Sequence, residues 1–297
     1  MPRQQQTNQA DRTARKSDRR RRSRMYTLSR ILFIVFFLVF LGSLAGIAVC
    51  TWQDWRDAQA FAGLNELVTD PAEPETTQPV ATQSTEPTEI PDSQGEENGS
   101  GEREILAKYR TVYEMNSDLY GWLSIDGLPF SYPVMHTPED EEYYLRRSFD
   151  GAYSRSGVPF IDADCEEGCG NYLIYGHNMT NGTMFAQLEA YADESFWREH
   201  PIIEFDTLYE EGEYEVFAVF YSRVFYKYET NKFRFYEYAD LRDPDVFSEY
   251  VNGVRELALY DTGADVSYGD ELITLITCSY TNRIENERFV VVARKWP

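Results

Sequence analysis

Leu272-Ile273-Thr274-Leu275-Ile276-Thr277-Cys278 is an uncharged run of strand-forming residues that stops abruptly in Ser279-Tyr280-Thr281-Asn282. A continuous apolar run of this length reads as a strand buried on both faces, and the polar residues after Cys278 turn it into a loop. Ten residues after the cysteine, Arg288 opens a second such strand, Phe289-Val290-Val291-Val292. If a hairpin loop joins the two, the side chains of Cys278 and Arg288 converge.

Working outward, the same signals recur. Gly121-Trp122-Leu123-Ser124-Ile125 reads as a strand, Asp126-Gly127 as a hairpin turn and Phe130 to Met135 as its partner. Further strands are expected at 157–162, 171–176, 201–206, 213–222, 271–278 and 288–294. Short strands with turn signals at this frequency predict a mostly β domain closed, or nearly closed, into a barrel. Ile105, Tyr109, Val112 and Met115 have helical spacing, so a helix is expected near 103–116. Two helical insertions are expected among the strands. One covers roughly 184–199; the other, opened by Asp243-Pro244-Asp245, runs to about Leu259 with Val246, Phe247, Tyr250, Val254, Leu257 and Ala258 on its apolar face.

The 297-residue chain has a formal net charge of −22, distributed unevenly. Residues 1–30 hold ten Lys/Arg against Asp11 and Asp18, a balance of +8 that leaves −30 for the rest. A body this acidic repels phosphate backbones, so nucleic acid is not an expected partner. Residues 31–50, from Ile31 to Cys50, are uncharged. At about 1.5 Å per residue they span a bilayer core of roughly 30 Å as a helix. The basic run ends directly before this span, so the positive-inside rule puts 1–30 in the cytoplasm as a basic tail and the body outside, with 31–50 held in the lipid bilayer. A cleaved signal peptide is the competing reading, because Ala45-Gly46-Ile47-Ala48 imitates a small-residue cleavage site. Residues 51–67 read as a short amphipathic stalk. Residues 69–101 hold five prolines, eight acids and no aromatic residue, which makes 51–101 a stalk and disordered acidic linker ahead of a domain at 102–297.

Three residues are candidates for chemistry. His177 follows the strand Tyr172-Leu173-Ile174-Tyr175 and Gly176, so it sits where a strand opens into a loop. The alternative is an ordinary surface histidine. Cys278 sits at another strand exit and is otherwise a small core residue. Arg288 presents a planar fork of donors fit for a carbonyl or oxyanion, unless it is only an edge-strand charge. His136 and His200 read as turn histidines beside Thr137-Pro138 and Pro201. Cys165 and Cys169 could begin a metal site, but no second ligand pair follows, and a small disulfide loop or two free thiols is the simpler expectation outside a cell.

At this point the sequence resembles a known family. Asn171-Tyr172-Leu173-Ile174-Tyr175-Gly176-His177-Asn178-Met179, followed by Gly182-Thr183-Met184-Phe185, is similar to the histidine motif of sortases. Thr274-Leu275-Ile276-Thr277-Cys278 is similar to their TLxTC motif, and Arg288 stands where they carry an arginine. Asn116 to Ile125, then Tyr132-Pro133-Val134 and Tyr143-Tyr144-Leu145, resemble the opening of class B sortases. Some class B members have an acid just beyond the cysteine. Ser279 and Tyr280 stand there instead, so no role for such an acid is carried over, and the Cys165–Cys169 insertion also departs from the pattern.

The resemblance implies an eight-stranded sortase-type β-barrel with an N-terminal helix and inserted helices, preceded by one transmembrane helix. It implies a membrane-anchored cysteine transpeptidase of a Gram-positive bacterium, with its catalytic domain extracellular. Such enzymes cleave a C-terminal sorting signal of secreted proteins through a thioester. They then pass the protein to an amine of a peptidoglycan cross-bridge or to a pilin lysine. Cys278 would be the nucleophile, His177 the general acid and base, and Arg288 the group that holds the carbonyl or oxyanion, with no metal or organic cofactor required. Two other classes share these features: a secreted cysteine endopeptidase that only hydrolyses, and a stalked surface adhesin without catalysis.

Overall fold

The computed structural model describes residues 3–69 and 103–296, so the expected acidic linker, from residue 70 on, lies outside the described residues. The chain divides into two compact units between Arg56 and Asp57. The helix α1 (Arg3–Thr69) begins in the first and runs unbroken through the apolar stretch, whose side chains from Leu32 to Val49 are exposed, as suits a helix long and apolar enough to cross a membrane.

The second unit is the expected barrel. Its strands are β1 (Leu119–Ile125), β2 (Phe130–Met135), β3 (Phe160–Ile161), β4 (Asn171–Tyr175), β5 (Ile202–Thr207), β6 (Glu213–Arg223), β7 (Leu272–Cys278) and β8 (Glu287–Lys295). They close in the order β1-β2-β3-β4-β7-β8-β6-β5. Leu123, Val134, Ile161, Leu173, Ile203, Val219, Leu275 and Val291, one from each strand, are all buried in one core. Two pairings are parallel, β2 with β3 and β4 with β7. The second decides function, because adjacent parallel strands deliver their C-terminal ends, and the residues that follow, to the same rim.

The interior of the β4–β7 pair carries a polar chain in which each member has a partner. Asn171 donates through Nδ2 to the Tyr238 carbonyl at 2.8 Å and accepts at Oδ1 from the Thr274 hydroxyl at 2.8 Å, and that hydroxyl also meets Tyr250. Tyr250 belongs to α4 (Pro244–Leu257), which buries Phe247, Tyr250, Val251 and Val254. The Asp243 side chain caps it by accepting from the backbone N–H groups of Asp245 and Val246. The insertion expected at 184–199 divides into a 3-10 helix at Phe185–Ala192 and the short α3 (Glu194–Glu199), capped by Asp193.

Two expectations need adjustment. The strand expected at 157–162 pairs only at Phe160–Ile161. Gly157 has φ +60°, and a Cβ there would lie 2.6 Å from the Tyr144 carbonyl oxygen and 2.7 Å from that of Leu145, so the chain is folded tightly before it can extend. The stretch 51–67, read as a short amphipathic stalk, belongs from Asp57 onward to the barrel's unit. Leu64 is buried in a second core with Tyr109 and Val112 of α2 (Ala107–Met115), Trp122 of β1 and Tyr144. Phe61 packs edge-on against Tyr132 at 5.4 Å. Asn65 donates to the Ser131 carbonyl and accepts from its hydroxyl.

Candidate active site

β7 and β8 are antiparallel, with Cys278 directly opposite Arg288. Residues so paired lie on one face with Cβ atoms about 5 Å apart. β4 runs parallel to β7 with Tyr175 beside Ile276, and the Gly176 N–H still donates to the Ile276 carbonyl at 3.1 Å. Two residues further, the same register brings His177 level with Cys278. All three side chains line one cavity of about 450 Å³, with Tyr175, Thr277 and the acidic Glu141, Glu142 and Asp162 also on its wall. His136 and His200 are not among its lining residues.

Each candidate is held by its own strand end. Arg288 is half-buried on β8, paired on one side with Cys278 and on the other with Ser222 of β6. The edge-strand reading of Arg288 therefore does not apply, because β8 has a neighbour on both sides. One guanidinium nitrogen donates to the Glu287 carbonyl at 3.0 Å, which leaves further donors for the cavity. Gly176 is required for a reason of packing: a Cβ there would lie 2.5 Å from the Phe185 ring, which fills the core beneath the histidine loop.

His177 is half-buried, and its Nε2 lies 2.8 Å from the Leu145 carbonyl oxygen. A carbonyl only accepts, so Nε2 carries the proton and the neutral ring keeps Nδ1 as its basic nitrogen. Burial lowers the pKa of His177 below its ordinary 6.5; the Leu145 carbonyl pulls the other way, and the charge of Arg146 lowers it further.

Three groups were not visible as site residues in the sequence. Asn178 donates through Nδ2 to the Cys278 carbonyl at 2.8 Å, and the Thr277 hydroxyl donates to the Gly176 carbonyl at 2.7 Å, so two side chains tie the histidine loop to the cysteine strand. Glu189 accepts from the Ser279 hydroxyl at 2.6 Å and so holds the first residue after the cysteine. Asn178 was legible only as a polar residue following the histidine; its partner lies 100 residues away.

Cys165 and Cys169 are free thiols, each about 1% exposed, and both donate toward the Asn171 carbonyl at 3.4 Å. The neighbouring Cys169, and then burial, push the Cys165 thiol up from its ordinary value. Among the described residues no cluster of three or more His, Cys, Asp or Glu is placed to hold a metal ion.

The histidines make stability pH-dependent in a defined sense. Burial lowers the pKa of His136 as well as that of His177, so both bind protons less readily folded than unfolded. Their contribution is fully present above about pH 6.5 and is lost as pH falls through the folded values. Glu229 and Asp240, lowered by hydrogen bonds to Arg223 and Arg242, act in the same sense but only below their ordinary range. Glu141, raised by burial and then by Asp162, Glu142 and Asp164, acts in the opposite sense, but near the carboxylate range. The melting temperature is therefore expected to fall between about pH 7 and pH 5.5, and a combined His136→Gln, His177→Gln variant should flatten that slope. Melts at a series of pH values check this; an equally steep slope in the variant rejects it.

Residues 123–296 match the family described as Sortase domain. Over 190 residues the chain is 32% identical to Sortase B of Listeria monocytogenes, covering 63% of this chain and 74% of that protein. Among solved structures, sortase B from B. anthracis aligns with a TM-score of 0.61 at 23% identity, over 82% of this chain and 98% of that one. A Staphylococcus aureus sortase B–substrate complex aligns with a TM-score of 0.55 at 26% identity, over 65% and 86% of the two chains. An eight-stranded barrel of this order and a family match over most of the domain lead to one conclusion: the chain belongs to the sortase family of cysteine transpeptidases.

Proposed function

We propose that this transpeptidase cuts a C-terminal sorting signal of secreted proteins and joins the upstream protein to an amine at the cell surface. The observation that carries the reading is the convergence of Cys278, His177 and Arg288 on one cavity. Cys278 first passes its thiol proton to the basic nitrogen of His177; the thiolate then attacks the scissile carbonyl, and a C–S bond forms as the C–N bond breaks. The leaving amine takes its proton from the His177 imidazolium, and a thioester remains on Cys278. Arg288 donates to the carbonyl oxygen while negative charge builds on it. An incoming amine then attacks the thioester and gives its proton to His177, and Cys278 leaves as thiolate. The acceptor is a cell-wall cross-bridge amine or a pilin lysine.

The N-terminal sequence supports the location that goes with this reading. Ten basic residues lie before the apolar stretch and few charges directly after it, which favours a cytoplasmic tail and an extracellular barrel. The likeness to a sortase B–substrate complex supports a peptide as the first partner.

The test is incubation with a library of C-terminal sorting peptides, with and without added amines, read by mass spectrometry. Peptide–amine conjugates that form only with active protein are expected. Hydrolysis products alone, at every amine concentration, would replace this reading with that of an endopeptidase.

A further inference from the structure

Asp57 lies on α1 seven residues beyond the apolar stretch, yet it is only 5% exposed. A carboxylate buried this deeply requires hydrogen-bond donors. It has them from the barrel's side: the Ser154 hydroxyl donates to it at 2.5 Å and the Ser156 hydroxyl at 2.9 Å. Ser154 Oγ in turn accepts from the backbone N–H groups of Ser156 and Gly157. The Ser154 N–H donates to the Arg146 carbonyl at 3.0 Å, and the Val158 N–H to the Tyr144 carbonyl at 3.1 Å. Residues 154–158 are thereby fastened onto 144–146. At the centre of that contact Gly157 lies so close to the Leu145 carbonyl that no side chain fits between them. The Leu145 carbonyl is the acceptor of His177 Nε2.

We propose that Asp57 is a positioning residue for the His177 imidazole, acting through Ser154, Ser156 and the Leu145 carbonyl. The inference rests on the reading of His177 as the general acid and base. The end of α1 is then part of the catalytic apparatus at one remove. With Asp57 in place, the 144–158 segment is held and its carbonyl meets Nε2 at hydrogen-bond distance, which fixes the tautomer and the ring plane. Without it the two serine hydroxyls lose their common acceptor, the segment loosens and water reaches the ring. The charged and titratable groups that line the cavity or influence the ring are Arg146 from the same segment, Glu141, Glu142, Asp162, Tyr175 and Tyr236, and Cys278 and Arg288 from β7 and β8. None of these is altered by changing Asp57.

The experiment uses the full chain in detergent micelles with isotope-labelled histidine. The His177 ring is titrated by NMR, its signal assigned by its absence in His177→Ala. Asp57→Ala, and separately the double variant Ser154→Ala, Ser156→Ala, should raise the proton affinity of His177 by roughly threefold or more, since rehydration removes burial, the largest influence on the ring, and outweighs the weakened pull of the Leu145 carbonyl. Combined, they should give no larger shift than either alone, because they cut one path. Asp57→Asn, whose amide oxygen still accepts, should fall between wild type and Asp57→Ala. The control is Asn65→Ala, which cuts the bonds of the same helix to Ser131 but has no path to Leu145; it should leave the titration unchanged. Iodoacetamide alkylation of Cys278 against pH gives a second readout. An unchanged His177 midpoint in folded Asp57→Ala, or the same shift in Asn65→Ala, overturns the proposal. If Asp57→Ala does not fold, the double serine variant decides by the same criterion. The ring titration reports the latch whether or not His177 acts in turnover, so failure of the acid–base reading, seen as turnover by His177→Ala, is a separate result.

Discussion

Replacing Cys278 by alanine is expected to abolish both cleavage and transfer while leaving the barrel folded. The thioester reading gives the sulfur the bond-forming role, and a methyl group cannot take it. The cost to the fold is small. Cys278 is half-buried at the end of β7, and its backbone carbonyl still accepts from Asn178 whatever the side chain, so about 1 kcal/mol or less is lost. Cys165 and Cys169 cannot substitute, being buried elsewhere in the core and absent from the cavity wall. The measurement is thioester formation by intact-protein mass spectrometry together with a thermal melt. A folded alanine variant that still acylates or releases product removes Cys278 from the nucleophile's place.

Arg288→Lys is expected to be nearly as damaging, although it keeps the charge. The proposed mechanism asks residue 288 for directed hydrogen bonds at the position of the developing oxyanion. Arginine supplies them from a planar fork, one arm of which is already fixed on the Glu287 carbonyl. Lysine offers a flexible point donor without that second attachment. Loss of a well-placed oxyanion donor costs about 3–4 kcal/mol, a factor of roughly 10² to 10³ in acylation rate. An arginine that served only to solvate the barrel rim would tolerate lysine within about 0.5 kcal/mol of stability and with little change in rate. Single-turnover acylation in the wild type and in the Lys and Ala variants separates the two. A lysine variant within about threefold of wild type would leave a Cys278–His177 pair acting without the arginine.

What the sequence revealed, and what it hid, follows from the range over which each signal acts. β7 and β8 were legible because the uncharged run Leu272–Cys278 and the run Phe289-Val290-Val291-Val292 carry strand character that needs no distant information. The cap Asp243-Pro244-Asp245 likewise announced α4 from its own residues. β3 was overestimated, because Val158, Phe160 and Ile161 are strand formers whereas the fold around them is set by the contact of Gly157 with Tyr144 and Leu145. The amphipathic character of 51–67 was visible, but the surface that receives it, formed by Ser131, Tyr132, Ser154 and Ser156, is not local. At the site, His177, Cys278 and Arg288 stood out by residue type. The Leu145 carbonyl could not, because a backbone acceptor is the same at every position. Asn178 and Thr277 acquire meaning only when β4 and β7, 100 residues apart, lie side by side.

The burial of Cys165 and Cys169 has a practical consequence for measuring the protein itself. Within the barrel's unit they and Cys278 are the only cysteines, and only Cys278 opens onto solvent-accessible space. A water-soluble alkylating reagent therefore meets one reactive sulfur per folded barrel and three per unfolded chain of that unit. The stoichiometry of labelling becomes a gauge of the native fraction, and the fast single event becomes a titrant of competent molecules. A fluorophore or spin label introduced by the same reaction reports from the mouth of the cavity without any engineered residue.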